Sequence, residues 1–257
     1  MKIFLVLFFL SFSLYGVNPP ISKYINTTQQ KVAIEDDFTS DLEDEFADES
    51  EVEIVDPFSS YNRSMTYFND IVYVNILIPV ATEYANVVHD DIREGISNVF
   101  SNLVFPVRFV NNVLQLKFDN AIEETGRFLV NSTIGILGIF DPAKDELNWE
   151  AHEEDFGQTL GFYGVGPGPH VVLPFLGPSN VRDAFSIIPD SMLNPTSEYF
   201  YDLPSEMSNG IILNGVYYIN KSSLHLGEYE SIKKDAIDLY PFMRDLYEQN
   251  RKSQIKE

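Results

Sequence analysis

Residues 90–106 read DDIREGISNVFSNLVFP, and their periodicity decides the fold class. Ile92, Ile96, Val99, Phe100, Leu103 and Val104 recur at i, i+4, i+7, i+8, i+11 and i+12, one continuous apolar stripe on a helix. The opposite face carries Arg93, Glu94, Ser97, Asn98, Ser101 and Asn102. Asp90 and Asp91 are expected to cap the helix, since a short carboxylate accepts from the free N–H groups of a first turn. Such a stripe has two homes: the core of a helical protein, or the boundary of a lipid leaflet.

Working outward, Pro106 opens a shorter helix with Phe109, Val110, Val113 and Leu114 on one side. A third helix fits Phe118, Ala121, Ile122, Thr125 and Leu129, with Asp119, Glu123 and Glu124 read as its solvated face. Near the C-terminus Tyr229, Ile232, Ala236, Ile237, Tyr240, Met243 and Tyr247 keep the period, and Pro241 marks a junction. Upstream, Asp56-Pro57 reads as an N-cap followed by a first-position proline, opening the folded part. The aromatic segment Phe58–Asn75 follows, and Pro79 should kink or end its helix. Strand alternation is weak throughout, which argues against a transmembrane β-barrel. The fold class is mainly α, with little or no sheet.

The middle differs. Residues 157–177 read GQTLGFYGVGPGPHVVLPFLG, with Gly157, Gly161, Gly164, Gly166, Gly168 and Gly177 interleaved with Pro167, Pro169 and Pro174. A regular helix cannot continue past Tyr163, and His170–Phe175 fits a short extended segment. Gly164, Gly166 and Gly168 suggest a phosphate loop, but no Lys-Ser or Lys-Thr follows and no strand-then-helix context surrounds them.

The charge of −22 argues against nucleic acid and against electrostatic recruitment to anionic lipid, so any membrane contact must be hydrophobic. Much of the acid lies between Glu35 and Glu53, a run without Lys or Arg that reads as a solvated tether. Met1-Lys2 and the apolar run Ile3–Leu14 read as a secretory signal peptide ending near Gly16. The absence of cysteine removes disulfides, thiolate metal sites and a Cys nucleophile. His89, His152, His170 and His225 are scattered; His152-Glu153-Glu154-Asp155 lacks the i, i+4 histidine pair of a zincin, so these read as solvated or capping groups. No G-x-S-x-G elbow occurs to support a serine lipase.

Several segments in order are similar to the MlaA/VacJ family. Asp56-Pro57-Phe58, Tyr61-Asn62-Arg63, Met65 and Phe68-Asn69 resemble its D-P-x-x-x-[FY]-N-R start. Arg93, Gly95, Asn98 and Phe100 resemble its next helix, and Arg127-Phe128, Asn131, Gly135, Gly138 and Asp141-Pro142-Ala143 the segment after it. The block Glu154–Gly161, Tyr163-Gly164-Val165-Gly166, Gly168-Pro169 and Arg182-Asp183 is the most specific. Tyr240, Arg244, Tyr247 and Arg251 match the family's ending, while residues 195–231 match little.

The resemblance implies a ring of short amphipathic helices in the inner leaflet of the outer membrane, around a channel. It implies removal of mislocalised phospholipid from the outer leaflet and delivery to an MlaC-like periplasmic carrier, beside a porin trimer. No enzymatic step, cofactor or metal is implied. Gly157, Leu160, Gly161, Tyr163, Gly164, Val165, Gly166, Gly168 and Pro169 would form the channel or hinge region, with Gly161, Gly164, Gly166 and Gly168 allowing close packing and loop flexibility. Asp56, Pro57, Asn62, Arg63, Phe68, Asn69, Asn131, Arg182 and Asp183 would be structural, Asn62 and Arg63 through buried polar contacts. The domain layout is a signal peptide (1–16), an acidic linker (17–54), the helical domain (55–251) and a tail (252–257). Family members are typically lipidated on a cysteine that this chain lacks. A soluble periplasmic lipid-binding module is the alternative.

Overall fold

The structure is a computed structural model. It describes residues 56–197 and 207–257, the latter with backbone alone over 207–211; the expected signal peptide and acidic linker fall outside it. The architecture is mainly α. The helices are α1 (Ser59–Val72), α2 (Ile78–Val87), α3 (Asp90–Leu103), α4 (Phe105–Leu114), α5 (Phe118–Thr133), α6 (Pro142–Asp145) and α7 (Phe156–Phe162). The strands β1 (His170–Leu173) and β2 (Gly177–Asn180) then form a hairpin, followed by α8 (Val181–Leu193), α9 (Met207–Leu224), α10 (Glu228–Asp235) and α11 (Leu239–Gln254). The hairpin is antiparallel, pairing His170 with Asn180 and Leu173 with Gly177.

Several helix ends differ from the sequence expectation. The first helix starts at Ser59 rather than Pro57, with Phe58 at the N-cap. Pro79 does not end it. Proline lacks the N–H that would bond to the carbonyl four residues back. One π-helical turn over Tyr73–Leu77, closed by the Ile78 N–H on the Tyr73 carbonyl, absorbs the mismatch. The helix runs on from Ser59 to Val87 before α3 turns away by 119°. His89, not an aspartate, caps α3 by accepting from the Asp91 N–H. Asp90 sits inside the first turn and pairs with Arg93. Pro241 lies in the first turn of α11, which Asp238 caps. Among the described residues no single helix is long and apolar enough to cross a membrane.

On α3, α4 and α5 the face rich in polar side chains turns inward. On α3 the buried residues are Arg93, Gly95, Phe100 and Asn102, while Ile92 is 58% exposed. On α4 they are Val107, Arg108, Asn111 and Asn112. On α5 they are Ala121, Glu124, Arg127 and Asn131, with Ile122 70% and Leu129 57% exposed. Glu124, read from sequence as solvated, has no exposed surface at all. Nine hydrophobic residues are buried among the described residues against twenty-nine polar or charged ones. A water-soluble protein inverts that ratio, because water expels apolar surface and buried polar groups are costly. An ordinary helical core is therefore not what the stripes form.

Candidate functional site

The buried polar side chains join the helices in successive clusters. Arg108 on α4 donates to Glu124 on α5 at 2.7 Å, and Glu124 also accepts from the His152 backbone at 2.7 Å. Arg127 reaches Asp141 at 2.8 Å, and Asn131 donates to the same carboxylate at 2.7 Å while accepting from the Ala143 N–H. Burial works to raise the Asp141 carboxyl, but the Asn131 and Arg127 hydrogen bonds and the Arg127 charge outweigh it and hold it low. The next cluster links Gln115 and Lys117 to Glu154, at 2.6 and 2.5 Å. Asn111 donates to Asp190 at 2.9 Å and accepts from Thr159 at 2.8 Å. Asp190 also accepts the Phe156 N–H. Burial, then the Asp155 charge, pushes the Asp190 carboxyl up.

Asp183 is the hub beneath the glycine-rich segment. It accepts from Arg182, Asn180, Tyr247 and Arg251, at 2.8, 2.8, 2.6 and 2.9 Å. Arg251 continues as a two-pronged pair with Asp155, at 2.5 and 2.6 Å. Burial favours neutral Asp183, but the Arg251 charge and the surrounding donors outweigh it and hold the carboxyl below its usual range. Asp155 caps α7 in a capping box with Gln158, so this cluster fixes where α7 begins.

The glycine-rich segment lies on this base. Phe162–Pro169 is exposed, with Tyr163 61% and Val165 45% accessible and Leu160 half-buried on the helix below. Its backbone is pinned: Arg182 Nη1 donates to the Val165 carbonyl at 3.2 Å, the Arg182 N–H to Pro167, and the Val181 N–H to Pro169. Tyr163 donates to the Leu114 carbonyl at 2.6 Å. Its glycines serve different ends. A β-carbon at Gly157 would collide with Asp183 and Arg251, and one at Gly161 with Ile255. Gly164, at φ +83°, is the left-handed cap of α7: its N–H bonds to Gly161 and that of Val165 to Leu160. Gly168, at φ +69°, lies against Val181. Gly166 has open space and no left-handed φ; of the four glycines expected to pack closely, Gly161 and Gly168 meet side chains and Gly164 and Gly166 do not.

Among the other sequence candidates, Asn62 is fully buried and clips α1 to the hairpin, donating to the His170 carbonyl and Tyr240 hydroxyl and accepting from the Val172 N–H. Asn69, two turns on, does the same for Leu173 and Phe175, and Phe68 packs edge-on against the Phe175 ring. Arg63 differs from expectation: its side chain is 53% exposed and pairs with Asp238 over the Tyr240 ring. Asp56 and Pro57 precede the first helix instead of opening it. His170, grouped with solvated histidines, is buried against Glu248. Sequence reasoning missed Arg108, Asp190 and the inward role of Glu124. The available signal was Arg108, Asn111, Asn112 and Gln115 at i, i+3, i+4 and i+7, a polar stripe as regular as the apolar one opposite.

The described residues contain no group of His, Asp and Glu arranged to hold a metal. The arrangement can offer hydrogen-bonding groups inside and apolar surface outside.

A family model described as "MlaA lipoprotein" matches residues 54–254. The chain belongs to the MlaA family. An uncharacterised protein of Rickettsia typhi is 32% identical over 206 residues, 80% of each chain. The intermembrane phospholipid transport system lipoprotein MlaA of Haemophilus influenzae is 27% identical over 207 residues, 79% of this chain and 80% of that one. Its namesake in Escherichia coli is 37% identical over 131 residues, 50% and 52% of the two. A solved structure described as the structural basis for maintenance of bacterial outer membrane lipid asymmetry superposes with a TM-score of 0.66 at 32% identity, covering 78% of this chain and 98% of that one. The Asn62, Asn131 and Asp183 clusters are thus the internal joints of an MlaA-family fold.

Proposed function

We propose that this MlaA-family protein is a phospholipid-transport component of the outer membrane, taking mislocalised phospholipid out of the outer leaflet. The inverted distribution of side chains carries this reading: ionic and amide groups are internal, and large apolar groups coat the helices outside. In hydrocarbon, exposed apolar side chains cost nothing and polar groups must find partners within the protein. No single helix among the described residues is both long and apolar enough to span, so on this reading the helices lie in one leaflet, in a ring around a passage. A headgroup entering hydrocarbon loses its hydration at a cost of several kcal/mol, and a polar wall lowers that barrier without breaking a covalent bond. On this reading the protein is a non-enzymatic channel component; purified protein incubated with labelled phospholipid should release no product.

The finer parts belong to the same proposal. Residues 55–251 conduct the lipid, 1–16 direct export, 17–54 form a tether and 252–257 a tail. A soluble MlaC-like carrier receives the lipid in the periplasm, and a porin trimer accompanies the protein in the membrane. The test is deletion followed by measurement of phospholipid in the outer leaflet. An increase, reversed by the intact gene, supports the reading; no change overturns it. Recovery in the periplasmic extract without detergent would favour the soluble lipid-binding module.

A further inference from the structure

The connection between α5 and α6, Ile134 to Phe140, reads IGILGIF and contains no polar side chain. Ile134, Ile136, Leu137, Ile139 and Phe140 are 71%, 58%, 75%, 43% and 59% exposed. The backbone goes out of its way to present them. Ile136 and Leu137 adopt φ of +53° and +59°, the left-handed region that a β-branched residue rarely enters, and Gly138 follows at +89°. Strain of this kind persists only where the surroundings impose it, and it marks positions with a task.

The loop is also built from beneath. A β-carbon at Gly138 would strike Asn102, and one at Gly135 would strike the Phe140 and Asn131 carbonyls, so the turn is pressed onto α3 and α5. Its N–H groups are turned inward. Ile134 and Gly135 donate to Val130 at 2.8 and 3.1 Å, Leu137 to Ser132 at 3.1 Å and Gly138 to Asn131 at 2.8 Å. Ile139 donates to Ile136 and Phe140 to Gly135. Six of these seven residues thus have an internal acceptor, and the Ile139 carbonyl accepts from Asn98 at 3.2 Å. A loop in water leaves such groups to the solvent; one in hydrocarbon must satisfy them itself.

We propose that Ile134–Phe140 is a membrane-inserted tip seated among the acyl chains of a phospholipid monolayer. This rests on the reading that the protein works at the outer membrane. Three observations select lipid over other occupants. The tip lacks polar side chains that would give a protein partner its register, six of its seven N–H groups are already satisfied internally, and the helices beside it also expose apolar side chains, Ile92 and Leu103 on α3 and Ile122 and Leu129 on α5. The tip sets how deeply that end of α5 rides in the leaflet.

The native chain has no cysteine, so one nitroxide label can be placed cleanly on the full protein. Leu137→Cys tests the tip, and Lys252→Cys, exposed on α11, serves as the aqueous reference. After flotation with zwitterionic phosphatidylcholine vesicles, the label at 137 should be reached by oxygen and shielded from a water-soluble nickel complex, with the reverse at 252. Flotation with a nickel-accessible label at 137 overturns the tip assignment and leaves the transport reading standing. Shielding accompanied by spin–spin coupling that grows with protein density assigns the surface to a second copy and overturns the lipid assignment. Failure to float overturns both. Leu137→Glu, which leaves the backbone contacts intact, should weaken vesicle partitioning about tenfold with unchanged thermal unfolding; equal partitioning also overturns the proposal.

Discussion

Asn62 uses its whole amide, two donor contacts and one acceptor contact, while fully buried. Asn62→Ala strands the Val172 N–H and the His170 carbonyl, so it should cost about 3 kcal/mol, read as a lowered unfolding midpoint in detergent. Arg63→Ala should cost under about 1 kcal/mol, because the Asp238 pair is half exposed and screened. The glycines separate in the same way. Gly157→Ala should lower stability sharply, because its new methyl meets the Asp183–Arg251 pair. Gly166→Pro meets open space, so it should leave unfolding nearly unchanged while reducing transport through loss of loop freedom; equal loss of both would remove Gly166 from any role in the passage. Acid and base act on different carboxyls. Asp183 is held low, so its stabilising contribution is complete above the ordinary carboxylate value and is lost as pH falls through its lowered folded-state value. Asp190 is raised by burial and by Asp155, so the fold weakens as pH rises from the ordinary carboxylate value towards the raised one. The midpoint of Asp190→Asn, measured from about pH 5 to about pH 8, should gain on the native protein with rising pH; parallel curves would show that Asp190 does not titrate there.

At the scale of elements, α4 and α5 are joined by charge where soluble helices are joined by leucine. Glu124 faces Arg108 at 2.7 Å and Arg127 at 4.0 Å, with no surface exposed to solvent. Glu124→Ala strands the buried Arg108 guanidinium, while Arg127 keeps Asp141, and should cost about 3–5 kcal/mol by chemical denaturation. Replacing Arg108 and Glu124 together by Met and Leu should cost much less, because no charge is then stranded. The apolar stripe on α3 was legible, because periodicity needs only local sequence. Its direction was not, since a two-faced helix reads identically whether the solvent beside it is water or hydrocarbon. The π turn before Pro79 was equally hidden: the proline announces a lost hydrogen bond but not how the chain repairs it.

For the whole molecule, charge and surface give opposite instructions that together specify the attachment. A chain of −22 is repelled by anionic lipid, while its exposed isoleucine, leucine and phenylalanine side chains favour acyl chains. Vesicle binding should therefore be strong on zwitterionic phosphatidylcholine, weaken as anionic lipid is added, and recover with salt, as cosedimentation would measure. Binding that rises with anionic lipid would contradict an attachment made by apolar contact.

The sequence by itself determined the helical class and the break at Tyr163, because these depend on local periodicity and turn chemistry, while its ordered resemblance to the family singled out Asn62, Asn69, Asn131 and Asp183. Only the tertiary structure decided that arginine, asparagine and glutamate face inward and isoleucine outward. It also decided which glycines are packed and that residues 155, 183 and 251 form one ionic joint. Burial and charge pairing arise between segments as much as 175 residues apart, as in the Arg63–Asp238 contact, and local sequence carries no record of which distant group arrives.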